Sequence, residues 1–261
     1  AMLLLLSPAK SLDYETPSPV AATATPHFAA RAAELIGLLR TQSADDIAEL
    51  MNLSAPLAEL NVKRYAAWSP RFTAKNSRAA VIAFNGDVYE GLDARTLDAD
   101  DIAWANEHVA ILSGLYGVLR PLDRLQPYRL EMGTALVGPH GRNLYDYWGD
   151  TVAKHLNRLS AKTGSPVIVN LASQEYFRAA DRKALKPRVI ECVFEDWKSG
   201  RYKIISFFAK RARGLMARHL IRERALHPQA LERFNLDGYA YVPEASEPER
   251  VVFRRRLPEA R

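Results

Sequence analysis

The side chains best suited to acid, base or nucleophilic work lie beside apolar runs and tight turns. Lys10 closes Ser7-Pro8-Ala9-Lys10, behind Leu3–Leu6. Asp87 lies in Phe84-Asn85-Gly86-Asp87-Val88-Tyr89, and Glu175 in Asn170-Leu171-Ala172-Ser173-Gln174-Glu175-Tyr176. Asp123 and Glu131 belong to a dense stretch from Leu112 to Met132. Loops at strand ends are where α/β sheets open ligand crevices. Lys10, Asp87, Asp123, Glu131 and Glu175 are therefore the catalytic candidates: an amine and four carboxylates able to serve as nucleophile, acid or base. The structural alternative is that Ser7, Asn170 and Ser173 only cap turns, as these residue types often do.

A second set of residues suits phosphate. Gly114 and Gly117, in Leu112-Ser113-Gly114-Leu115-Tyr116-Gly117-Val118-Leu119, permit a tight bend whose N–H groups can face an anion. The spacing approximates a helix-hairpin-helix, with one residue more than the usual Gly-apolar-Gly; a plain glycine C-cap fits as well. Arg120 and Arg129 add charge-assisted contacts, or form a buried network with Asp123 and Glu131. From Trp197 to Arg224 there are nine basic residues against Glu223 alone. Lys210, Arg211, Arg213, Arg218 and Arg222 fall on one expected helix, where 211, 218 and 222 form a stripe opposite Leu215, Met216, Leu220 and Ile221. Such a stripe tracks phosphates, is a solvated face, or lies on a membrane; without Trp or Phe on the apolar side, the membrane reading is the poorest. Tyr145, Tyr147 and Trp148 offer stacking surfaces or core packing.

Several common chemistries have no signature. GxxxxGK[ST], GxGxxG and GxSxG are missing. The six histidines show no metal-ligand spacing, and Cys192 is the only cysteine, so neither a disulfide nor a thiolate cage forms within the chain. No metal and no cofactor are expected.

The elements that must position these groups follow from periodicity. Leu3–Leu6, Ala79–Phe84, Pro166–Leu171, Arg188–Phe194, Arg201–Phe208 and Val251–Phe253 read as strands, with Ser199-Gly200 a hairpin turn. Helices are expected after Thr25-Pro26 to Arg40, after Ser43 with Asp46 as a capping box, from Asp98 through Leu112, from Tyr145 to Leu159, and from Arg211 to Arg224. The alternation implies an α/β (mixed α+β) fold. We expect a single compact domain over 2–255, its mixed sheet flanked by helices, and a tail at 256–261. Composition agrees: 261 residues, 48% apolar and 25% charged, enough for a real core. Ala1 ahead of Met2 reads as a cloning remnant. No stretch reaches membrane-spanning length and no signal peptide is evident, so a cytoplasmic location is expected. Residues 1–130 carry 12 basic and 15 acidic side chains, leaving the second half with 24 and 15 of the totals of 36 and 30. That asymmetry suits a polyanion-facing surface or a scattered basic one.

Taken together, Ser7–Lys10, Gly86–Tyr89, Leu112–Met132, Leu144–Asp150, Asn170–Phe177 and Ile205–Met216 resemble the bacterial YaaA peroxide-stress family, from Met2 to about Arg255. The resemblance implies a cytoplasmic protein of the hydrogen peroxide response, associated with limiting unincorporated iron. It also implies a positively charged cleft that binds DNA, mainly by its phosphate backbone. Carried over by position, the hairpin is Leu112–Leu119 and the cleft draws on Lys10, Arg120, Arg129, Lys210, Arg211 and Arg213. The alternative is an enzyme acting on a nucleotide, nucleoside or damaged DNA end in a polar crevice. Iron sequestration by the chain itself is a third reading, which the missing histidine and cysteine spacings disfavour.

Overall fold

The computed structural model describes residues 1–258; of the expected tail, residues 259–261 lie outside that range. The four-leucine run becomes the middle of the sheet. In chain order the strands are β1 (Met2–Leu6), β2 (Ser11–Leu12), β3 (Arg78–Ala79), β4 (Phe84–Asn85), β5 (Val109–Ser113), β6 (Gly117–Leu119), β7 (Arg124–Leu125), β8 (Val167–Leu171), β9 (Arg188–Lys198), β10 (Arg201–Lys203), β11 (Ala240–Tyr241) and β12 (Arg250–Arg255). The main sheet runs β11-β12-β9-β8-β1-β5-β6, with β10 also on β9. Its five central strands are parallel neighbours, whereas β6, β10 and β11 pair antiparallel. Every β1 side chain is fully buried. Because successive residues point to opposite faces, both faces of the sheet are covered there. The mixed α/β architecture expected from the sequence is thus the one observed.

The helices are α1 (Ala29–Leu39), α2 (Ala44–Met51), α3 (Ala55–Ala67), α4 (Ala80–Ala83), α5 (Asp87–Leu92), α6 (Ala99–His108), α7 (Leu144–Trp148), α8 (Thr151–Thr163), α9 (Gln174–Phe177), α10 (Ser206–Arg222) and α11 (Gln229–Glu232). α6 and α10 pack on the sheet and on each other, and α8 packs on β1 and β6. One apolar core runs from Met2 to Phe253. Ser43 and Asp46 form the expected capping box, and Ser199-Gly200 turns β9 into β10 with φ of 54° and 80°, as a two-residue hairpin requires.

Several boundaries differ from expectation for identifiable reasons. Ala79–Phe84 is mostly the single turn α4, whose Ala80 and Val81 N–H groups donate to the carbonyls of Asp123 and Pro121. A short run buried all round carries no period that separates strand from turn. The expected 145–159 helix is two helices, broken where Gly149 takes φ 50°. The Asp98-capped helix stops at His108, and Val109 starts β5. The strand expected over 201–208 ends at Lys203, and α10 begins at Ser206.

The helix-hairpin-helix is corrected outright: Leu112–Leu119 is the β5–β6 hairpin. Gly114 lies against the Leu130 carbonyl, where a Cβ has no room. Gly117 takes φ +70° with the Trp148 ring packed on it, and the Trp148 indole N–H donates to the Gly114 carbonyl at 2.9 Å. The paired glycines serve close packing in the core and face no anion.

One buried histidine gives the fold a pH dependence. His155 on α8 lies between His27, 4.4 Å away ring to ring, and Phe28. Burial, then His27, lowers its pKa from 6.5 to about 4. The unfolded chain takes up this proton first, so stability falls as pH drops from about 6.5 to about 4, by up to roughly 3 kcal/mol. Urea midpoints at pH 7.5 and 4.5 check this: the fall is expected to be smaller in His155→Gln than in the wild type.

Candidate active site at the exits of strands β1 and β8

The chain leaving β1 next enters the main sheet at β5, on one side, and the chain leaving β8 enters at β9, on the other. β1 and β8 are adjacent and parallel, so their exits diverge and leave a crevice between them. The floor is fixed by hydrogen bonds. The Ser173 N–H donates to Ser7 Oγ at 2.8 Å, and the Tyr89 hydroxyl donates to the Ser7 carbonyl at 2.8 Å. Asn170 Oδ1 accepts from the Ala172 N–H at 3.0 Å, while its Nδ2 donates to the Glu191 carboxylate at 3.0 and 3.1 Å.

The far wall is built by α5 against α10, which touch through glycines. Gly91 faces the Arg211 carbonyl and Gly214 faces the Val88 carbonyl. This backbone approach brings the start of α5 beside the first turns of α10. A cavity of about 320 Å³ results, lined by Lys10, Asp87, Glu131, Glu175, Lys210 and Arg213 together with Ser7 and Ser173. Four of the five catalytic candidates converge here, as do three of the expected phosphate contacts. Arg129 joins through Glu131, whose Oε1 accepts from Arg129 at 3.1 and 3.2 Å and lies 3.9 Å from Lys10 Nζ.

These groups are not equally free. Glu175 Oε2 accepts the Gly133 N–H at 2.9 Å, and Glu131 is engaged by Arg129. Asp87, the first residue of α5, makes no ion pair or side-chain hydrogen bond with a described residue, nor do Lys210 and Arg213. Asp87, Lys210 and Arg213 are thus the charged crevice groups without a described partner, and Glu131 keeps one buried oxygen, Oε2, unpaired.

Other expected site residues lie elsewhere. Asp123 is buried and accepts the Arg120 N–H at 2.8 Å, and burial raises its pKa to about 7. The Arg120 guanidinium donates to the Asn106 carbonyl at 3.0 Å, and burial lowers its pKa to about 10. This pair secures the loop after β6, while Arg129 and Glu131, the other members of the expected network, pair with each other at the crevice. Arg211 bridges Glu90 and Asp237, both at 3.1 Å. Arg218 donates to the carbonyls of Leu92 and Asp93. Arg222 is exposed at the end of α10. The arginine stripe is thus largely a clamp between helices. Glu191 escaped the sequence reading; its only signal is an acid within the alternating apolar pattern of β9.

Cys192 is buried, and that burial pushes its thiol pKa well above the usual value, leaving little thiolate to meet peroxide. For the peroxide protection that the resemblance implies, Cys192→Ala is expected to leave survival under hydrogen peroxide at the wild-type level, measured by complementing a strain that lacks the gene. Among the described residues, no cluster of three or more histidine, cysteine or acidic side chains is arranged to hold a metal ion, and no helix is long and apolar enough to cross a membrane.

Comparison with known proteins agrees over almost the whole length. The model of the family described as peroxide stress protein YaaA matches residues 2–245. A UPF0246 protein of Verminephrobacter eiseniae is 65% identical over 260 residues, covering 99% of this chain and 100% of the relative. One from Paracidovorax citrulli is 63% identical over 256 residues, covering 98% and 99%. One from Bordetella avium is 60% identical over 256 residues, covering 98% and 100%.

Proposed function

This chain belongs to the peroxide stress protein YaaA family, and from that premise we propose that it protects against peroxide as a cytoplasmic enzyme working in the β1/β8 crevice on a nucleotide, nucleoside or damaged DNA end. The observation that carries the reading is the convergence of Lys10, Asp87, Glu131, Glu175, Lys210 and Arg213 on one cavity of about 320 Å³. They come from segments far apart in sequence, at the position where α/β sheets hold their ligands. Asp87 is the acid–base group, Lys10 and Glu131 set the charge beside it, and Lys210 and Arg213 receive an anionic part of the substrate. Any limitation of free iron is read as an indirect consequence of the reaction.

DNA binding is the second reading. It is favoured by the net charge of +6 and by exposed cations such as Lys198, Arg201, Lys210 and Arg222. It lacks the amide-lined hairpin, and Arg120, Arg211 and Arg218 are spent on internal partners. The two readings separate in one comparison: survival under peroxide and duplex affinity between low and physiological salt, for the wild type and Asp87→Asn. Lost protection with unchanged affinity supports the enzyme. Protection that follows a steeply salt-dependent affinity supports DNA binding.

A further inference from the structure

We infer that Arg213 and Lys210 form a phosphoryl-binding subsite of the crevice, taking the phosphate of a mononucleotide-sized ester; this rests on the enzymatic reading above. Arg213 is only partly exposed, lines the cavity, and makes no hydrogen bond or ion pair with any described residue. Other half-buried guanidinium groups around the crevice are occupied: Arg129 by Glu131, and Arg211 by Glu90 and Asp237. A partly desolvated guanidinium without an acceptor is costly, and an entering oxyanion removes that cost.

Position supports the assignment. Lys210 and Arg213 are three residues apart on α10, so their side chains are neighbours on one face. The Gly91 and Gly214 contacts hold the adjacent face of α10 against α5, so the subsite sits on rigid helices. Behind it the Glu191 carboxylate is tied to Asn170. That charge opposes the loss of charge that burial imposes on Arg213. It also repels an anion from deeper entry, which leaves the phosphate in the crevice with Asp87 within the same cavity. Two free cations suit a phosphate dianion better than a single carboxylate. The small volume suits a mononucleotide better than a duplex.

The test is equilibrium titration of the full chain, by calorimetry and phosphorus NMR, with inorganic phosphate, a nucleoside 5′-monophosphate and the unphosphorylated nucleoside. The monophosphate is expected to saturate one site and to bind much more tightly than the nucleoside. Arg213→Gln should weaken it by about 10- to 100-fold, and Arg213→Lys should weaken it less. Lys154→Gln, an exposed cation on α8 outside the crevice, should change nothing. An unfolding temperature of Arg213→Gln near that of the wild type excludes misfolding as the cause. A 5′-phosphorylated oligonucleotide that binds more tightly, still through Arg213, assigns the same chemistry to a DNA end. Equal binding of nucleoside and monophosphate overturns the subsite, as does an unaffected Arg213→Gln or equal competition by acetate. Loss of peroxide protection in Asp87→Asn alongside normal protection in Arg213→Gln removes this subsite and leaves the enzymatic reading. Normal protection in both variants removes both.

Discussion

A single methyl group at Gly214 is expected to cost this protein more than about 3 kcal/mol, seen as a fall of roughly 10 °C or more in unfolding temperature, or as insoluble expression. An added Cβ there would overlap the Val88 carbonyl oxygen and lie 2.7 Å from the Leu92 nitrogen. Both obstacles are backbone atoms of α5, so no rotamer change relieves them. α5 and α10 must instead move apart, and with them the wall that carries Asp87 and Lys210. Gly91→Ala is expected to act alike, because its Cβ would overlap the Arg211 carbonyl and lie 3.0 Å from the Leu215 nitrogen. Gly37, inside α1, has no neighbour within 4 Å of an added Cβ. There the ordinary helix preference acts alone, and Gly37→Ala should gain about 0.5–1 kcal/mol. Thermal unfolding of the three variants separates loss by overlap from gain by propensity. An unchanged Gly214→Ala would mean that the two helices do not meet as described.

The same contact shows where sequence reasoning succeeds and where it stops. Leu3–Leu6 and Pro166–Leu171 were legible as buried strands because apolar runs bounded by turn residues admit few alternatives, and their exits pointed to Lys10 and Glu175. The capping box at Ser43 was legible because it is local. The crevice depends on strand order, which places β8 beside β1 although more than 150 residues separate them; no local pattern encodes that. Gly114 and Gly117 misled for a related reason. A glycine needed for close approach to Trp148 and Leu130 looks, in sequence, like one needed for an anion. The basic stretch was over-read because charge is visible in sequence and partners are not. Arg211 and Arg218 are spent holding α10 to α5 and to the turn after it, whereas Arg213 stands free.

Asp87→Asn is expected to abolish most of the protective function while leaving the fold intact. The substitution keeps size and shape and removes the one carboxylate of the crevice that no described residue engages. A positioned acid or base contributes about 10²- to 10⁴-fold to a rate, so survival of complemented cells under hydrogen peroxide should fall close to that of cells lacking the protein. Because Asp87 has no internal partner, the unfolding temperature should hold within about a degree or two, as for a surface substitution of about ±0.5 kcal/mol. Glu175→Gln supplies the contrast. Its carboxylate accepts the Gly133 N–H, a role an amide oxygen also fills, so protection should survive. Asp123→Asn should behave differently from both. An amide oxygen still accepts the Arg120 N–H, but the charge that favours the buried Arg120 guanidinium is lost, so any loss of protection there should come with a lower unfolding temperature. Measuring survival and stability together for all three variants distinguishes chemistry at Asp87 from support at Glu175 and Asp123. Equal protection by Asp87→Asn and wild type would take the acid–base role away from Asp87 and leave the crevice without its only free carboxylate, and so without the group on which the enzymatic reading depends.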